Sequence, residues 1–232
     1  IGGSNAPNTE EVRNFVAFNF AAQNRAVTVN DYDSLLRNMP AEFGAPAKVA
    51  ITENNNKIVI SMLSYDTSGK LTSIVSNTLK QNVANYLSNY RMMNDYIQVT
   101  TAEVLDLGVE ISVVLDATQN SGQIISDIVN KVSTYFEPQF RQLGQNVYLS
   151  ELRSIVQSQN GVITVSDIVI DNKVGGQYSS AETSMPYSDA ELRIIRPVDD
   201  TLFAQPNQVY QVRYPQKDIK VRVRNLQNVS FS

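Results

Sequence analysis

The chain has 232 residues, 42% of them hydrophobic, and a formal net charge of −4. That is enough apolar material for a sizeable core, and it argues against wholesale disorder. There is no His and no Cys, which removes imidazole bases, Ser-His and Cys-His pairs, disulfides and the usual zinc sites. The acidic balance offers no broad attraction to nucleic acid.

No Met opens the chain and residues 1–8 are loop-like, so the sequence reads as a piece of a longer protein. No stretch approaches eighteen uncharged apolar residues, so no membrane span is predicted. Asn and Gln supply roughly a sixth of the residues. Uncharged amides donate and accept hydrogen bonds without the cost of desolvating an ion, which suits polar protein–protein contacts.

In chain order, Asn8 with Glu11 forms a capping-box pattern ahead of a helix over 9–23, striped by Val12, Phe15, Val16 and Phe20. Thr28 with Asp31 repeats the device before a short helix through Leu35 and Leu36 to about Asn38. Pro40, Gly44 and Pro46 break the chain. Residues 48–52 and 57–63 read as paired strands joined through Asn54, Asn55 and Asn56, since Asn tolerates left-handed turn geometry. Leu71, Ile74, Val75, Leu79, Val83, Tyr86, Leu87 and Tyr90 then follow helical spacing for about five turns. Residues 97–101 and 104–115 read as strand, with Val109, Ile111, Val113 and Leu115 on one buried face.

Residues 121–170 carry three local signals in a row. Ile124, Ile125, Ile128, Val129, Val132, Tyr135 and Phe136 make one apolar helix face, which Pro138 terminates by pushing Glu137 out of the helical region. Ser150 is the expected cap of a shorter helix bearing Leu152, Ile155 and Val156. Asn160-Gly161 turns into a strand over 162–170. A polar loop over 171–190 follows, then a strand at 192–195 and Pro197. Two more strands end the pattern, Tyr210–Tyr214 and Ile219–Arg224.

Long helices with one apolar stripe must pack on a sheet or on each other. The expected fold is therefore α+β, with amphipathic helices on a mainly antiparallel sheet, a helical N-terminal segment and a β-rich C-terminal extension. The expected divisions are 1–40, 41–196 and 197–232. The tail is expected to act as an arm packing on another chain or on a neighbouring copy, because two short strands have too little apolar surface to fold alone. The passes 57–101 and 108–170 also hint at a duplication.

Candidate sites are sparse. Around Ser68-Gly69-Lys70 a phosphate loop fails, with Ser64 where the first Gly belongs and Leu71 where a Ser or Thr belongs; a turn is expected. Asp199-Asp200, Asp167 with Asp171, and Glu151 read as solvated loop charges rather than a two-carboxylate centre. Gly175-Gly176 reads as a flexible surface loop. Asn228-Val229-Ser230 matches a glycosylation acceptor by chance. No catalytic, metal or cofactor residue emerges. Lys220, Arg222 and Arg224, with nearby Tyr210 and Tyr214, are the candidate protein interface, because Tyr and Arg are enriched at such surfaces. The alternative is an edge strand blunted by basic side chains.

Two strings carry a family resemblance. Asn24-Arg25-Ala26-Val27-Thr28 through Asp31-Tyr32-Asp33 is one. The other joins Tyr135–Pro138, Leu143–Val147, Ser150–Leu152 and Gly161-Val162 with Val165. In this order they resemble the baseplate J-like family, structural proteins of contractile phage tails and related injection machines. The resemblance implies a mixed α/β architecture and a structural subunit without catalysis or cofactor. It also implies that copies form a ring joining wedges around the central hub and rearrange on contraction. The implied partners are its own copies and other wedge proteins, with no nucleic acid, membrane or small-molecule substrate, in a virion tail assembled in the host cytoplasm. A glycan-binding or wall-degrading tail domain is the competing class, disfavoured by the missing Trp and His. An adhesin is disfavoured further by the absent disulfides.

Overall fold

A computed structural model describes residues 25–55 and 57–224. The expected helix over 9–23 and the 228–230 acceptor lie outside these residues. The described residues divide into two compact units, one comprising 25–64 together with 74–101, the other 65–73 with 102–224. These divisions differ from the expected boundaries at 40 and 196.

In the first unit the Thr28–Asp31 capping box forms as expected. Asp31 N donates to Thr28 Oγ1 at 3.3 Å, and Thr28 N donates to the Asp31 carboxylate at 2.8 Å. Helix α1 (Val29–Arg37) follows, burying Tyr32, Leu35 and Leu36. Strands β1 (Lys48–Asn54) and β2 (Lys57–Tyr65) pair antiparallel, with Asn55 in the left-handed region at φ 48°. Helix α2 (Asn77–Ser88) then crosses over to β4 (Tyr96–Thr101), which pairs parallel with β2. Ile58, Ile60, Met62, Val83 and Leu87 join the α1 residues in one core.

The helix expected from Leu71 to Tyr90 is shorter. Ser76 caps it, accepting from Leu79 N at 3.2 Å. Leu71–Thr72 form strand β3 instead, and Ile74 is 84% exposed. The helix starts only after the Ser76 cap, and the Leu71 carbonyl accepts from Gln211 Nε2 at 3.3 Å.

In the second unit the long strand β5 (Glu103–Leu115) is interior. Along one edge it pairs antiparallel with β7 (Val162–Lys173). Its other edge is shared in tandem by β11 (Gln208–Gln211) and β12 (Ile219–Val223), both parallel to it. Short α5 (Pro215–Asp218) links them. Strands β9 (Ile194–Ile195) and β8 (Tyr187–Asp189) extend the sheet beyond β7, and β6 (Val147–Tyr148) pairs with β10 (Thr201–Leu202). Helices α3 (Ser121–Tyr135) and α4 (Leu149–Gln157) contribute Ile124, Ile128, Val132, Leu152 and Val156 to a core shared with Leu105, Leu107, Val109 and Ile111 of β5.

Several expectations change. Ser150 lies inside α4 rather than capping it; Tyr148 is the capping position, because its pairing with Thr201 holds the backbone extended up to the helix. Both faces of β5 are buried, not one: Gly108, Ser112 and Val114 are covered as well. A side chain at 108 would collide with Asp171 and Lys173. The two passes are not copies, since β2 and β4 run parallel whereas β5 and β7 run antiparallel. The fold is α+β, and its sheets are mainly antiparallel with three parallel pairings. Strands β11 and β12 take their backbone partner from β5 of the same chain.

Candidate protein interface

Strand β12 alternates over Ile219–Arg222, but Val223, which the alternation puts on the apolar face, is 42% exposed. Ile219 packs into the core and Val221 lies partly against it, while Lys220, Arg222 and Arg224 are exposed. Arg222 Nε lies 2.8 Å from Glu110 Oε1 on the neighbouring strand, with the Arg side chain 68% exposed. Lys220 and Arg224 make no ion pair among the described residues. Arg224 N still donates to Val113 O at 2.8 Å, extending the ladder by one bond. Among the described residues β12 pairs with β5 alone, so it is an edge strand carrying a basic stripe.

The two tyrosines separate from that stripe. Tyr210 is fully buried; its OH donates to Phe203 O at 2.8 Å and lies 3.4 Å from Thr183 Oγ1. Burial pushes its phenol pKa up. It is a core residue and not an exposed anchor, because β11 lies against the first third of β5 and is covered on both faces. Tyr214 is half-buried. Its ring meets Tyr178 edge-on at 5.6 Å, and its N–H donates to Asp218 Oδ2 at 2.9 Å.

Behind the stripe lies a polar network that residue-type reasoning did not find. Asp106, fully buried on β5, accepts from Gln211 Nε2 at 2.9 Å and from Ser179 N at 2.7 Å. Asp218 accepts from Tyr178 OH at 2.6 Å. Asp66 meets Arg213 at 2.6 Å. Burial raises the Asp106 pKa despite these donors. Burial also works against the Asp66 carboxylate, but donors from Ser68 and Lys70 and the Arg213 charge together hold it below its ordinary value. The 175–180 loop, expected to be a free surface loop, is tied down through Tyr178 and Ser179. The available signal was a lone Asp inside the apolar run Val104-Leu105-Asp106-Leu107. Each carboxylate is occupied by donors, so the arrangement fixes the corner carrying α5 and β12 rather than presenting a reactive group.

The remaining carboxylate candidates disperse. Asp171 pairs with Lys173 at 2.6 Å, Asp199 and Asp200 form a hairpin tip, and Glu151 accepts from Tyr135 OH at 2.8 Å. The Asp66–Gly69 segment is a turn, with Gly69 at φ 75°. Among the described residues no group of three or more acidic side chains is placed to hold a metal, and no helix is long and apolar enough to cross a membrane.

No family model matches the chain, and no curated protein does. Among solved structures it is similar to a chain of the anti-feeding prophage baseplate, seen by electron cryomicroscopy with sixfold symmetrisation. The match has a TM-score of 0.59 and 15% identity and covers 91% of this chain. It spans 43% of that baseplate chain, so this sequence corresponds to less than half of its neighbour. At that likeness the two share a fold.

Proposed function

We propose that this chain is a structural subunit of a contractile-tail baseplate, without a catalytic centre. The observation that carries the reading is the shared fold over 91% of the chain with a baseplate protein. The motifs resembling the baseplate J-like family point the same way, although no family model matches the chain. Its Asn-rich sequence and long extension after residue 196 resemble the C-terminal part of the baseplate wedge protein of T-even bacteriophages, and we read the chain as a protein of that kind. On this reading it resides in the virion tail after assembly in the host cytoplasm. Its copies associate with one another and with other wedge proteins, forming the ring that joins wedges around the hub and rearranges on contraction. Such a ring must hold and then switch, which favours moderate polar contacts over one large apolar face. The basic stripe of Lys220, Arg222 and Arg224 is one such contact surface.

Sedimentation velocity of the purified chain across concentration tests the self-association, with reversible oligomers expected. Imaging of assembled particles tests the placement: copies isolated from one another in the particle would overturn the ring.

A further inference from the structure

We infer that a second copy of this chain seats its Asp199–Asp200 hairpin tip in a cationic cleft between α3 and α4. The inference rests on the self-association just proposed and names its contact.

The cleft holds about 340 Å³ and is lined by Lys131 and Tyr135 of α3, Phe140 and Arg141 of the following turn, and Glu151 and Ile155 of α4. Arg141 is its distinctive member. Only 2% of it is exposed, yet it makes no ion pair among the described residues. Its Nη2 donates to Gln145 O at 3.2 Å and Asn146 O at 2.8 Å, and its Cζ lies 5.0 Å from the Tyr135 ring centroid. Its Nε has no hydrogen-bond partner among the described residues. A buried cation is ordinarily matched by a carboxylate. The nearby Glu151 carboxylate is engaged by Tyr135 OH instead. Lys131 adds a second cation, and Phe140, 57% exposed, supplies an apolar rim. The chemistry that completes this cleft is a carboxylate carried beside a small aliphatic group.

The chain displays that combination elsewhere. Val198 and Thr201 exchange backbone hydrogen bonds at 3.1 and 2.9 Å across a two-residue turn. Asp199 and Asp200 both lie in the left-handed region, at φ 49° and 56°. Such turns favour Asn-Gly or Gly-Gly, because a side chain in that region is strained. Neither aspartate side chain has a hydrogen bond or ion pair among the described residues; it is the backbone carbonyls that are engaged, Asp199 O accepting from Thr201 Oγ1 at 3.1 Å and Asp200 O from Leu149 N at 2.8 Å, which leaves both carboxylates free for another copy. Val198 beside them is 47% exposed. A stiff acidic tip with an exposed Val matches a cationic cleft with apolar walls in charge and in chemistry. Neither carboxylate pairs with Arg141 or Lys131 of the same chain, so the match is satisfied only between copies.

The chain has no Cys, which makes cross-linking clean. Under mild oxidation, a mixture of Lys131→Cys and Asp199→Cys chains is expected to give a mixed disulfide dimer. Asp199→Cys mixed with Leu192→Cys, an exposed site, serves as the control and should not. In sedimentation, Asp199→Asn/Asp200→Asn keeps a turn-compatible residue at both positions and should weaken self-association about tenfold or more. Lys131→Glu should do the same. A wild-type chain that stays monomeric at every concentration overturns both the self-association reading and this contact. Wild-type oligomers that persist in both sets of variants, with no mixed dimer above control, overturn the contact alone. Oligomers lost in Lys131→Glu but kept in Asp199→Asn/Asp200→Asn place a different acidic segment in the cleft and overturn the hairpin as its occupant.

Discussion

Arg213 and Asp66 stand 147 positions apart in sequence and meet at 2.6 Å, with their side chains only 19% and 20% exposed. The pair clasps the 65–73 segment to the end of β11, and Gln211 reinforces it by donating to Leu71 O. Arg213→Ala leaves Asp66 without its counter-charge in a largely desolvated place. A loss of about 1.5–3 kcal/mol is expected, the range for hydrogen bonds to charged groups. Urea unfolding should show a lower midpoint.

Asp66 and Asp106 give stability opposite dependences on pH. The Asp66 pKa is depressed, so its contribution is full above the ordinary 3.8 and is lost as pH falls through its folded value. The Asp106 pKa is raised by burial, so the folded state holds that proton more tightly than the unfolded chain does. Ionisation therefore costs stability, which declines as pH rises above 3.8 toward the folded value. Asp66→Asn should flatten the acid limb, and Asp106→Asn should remove the decline above it. Thermal unfolding of the two variants between about pH 3 and 7 separates the effects.

Tyr210 tests core against surface. Tyr210→Phe removes the donor to Phe203 O and should cost about 1–1.5 kcal/mol, while Tyr210→Ala should cost about 3–5 kcal/mol through the cavity it leaves. Lys220→Ala and Arg224→Ala should each stay within about 0.5 kcal/mol, as exposed side chains without partners do. Equal small effects at all three positions, measured by denaturant unfolding, would return Tyr210 to the surface.

Removing residues 219–232 uncovers the edge of β5 along 109–113 and withdraws Ile219 from the core. The truncated chain is expected to aggregate or to melt far below the full one, since an exposed central strand recruits other chains. Soluble, unchanged melting would show that β12 is dispensable.

Gly161 occupies φ +88°, and a Cβ there would press on Ile124 Cδ1 and Gln119 Oε1. Gly161→Ala is expected to cost about 1–3 kcal/mol, from left-handed strain and the shift of a core side chain. Calorimetry of the variant checks this.

Local signals were legible where a few neighbouring residues settle the matter. The Thr28–Asp31 box, the Asn55 turn, the stop before Pro138 and the Asn160-Gly161 turn all act over three or four residues, and all appear. The candidate interface was legible in part. Alternation placed Lys220, Arg222 and Arg224 outward, but the same alternation also offered Tyr210, whose burial depends on what covers β11. Leu71 shows the limit from the other side: its spacing suits a helix, yet it lies in a strand ahead of the Ser76 cap.

The sequence by itself determined the type of the long elements, the absence of His and Cys side chains, and several caps and turns, because propensity, capping and turn geometry are short-range. Only the tertiary structure decided that β11 and β12 lie end to end, parallel, along one edge of β5. It also decided that Asp106 is buried among Gln211 and Ser179, and that no carboxylate pairs with Arg141 among the described residues. Those outcomes depend on which distant backbone and side-chain groups meet once water is excluded, and no local period of the chain encodes them.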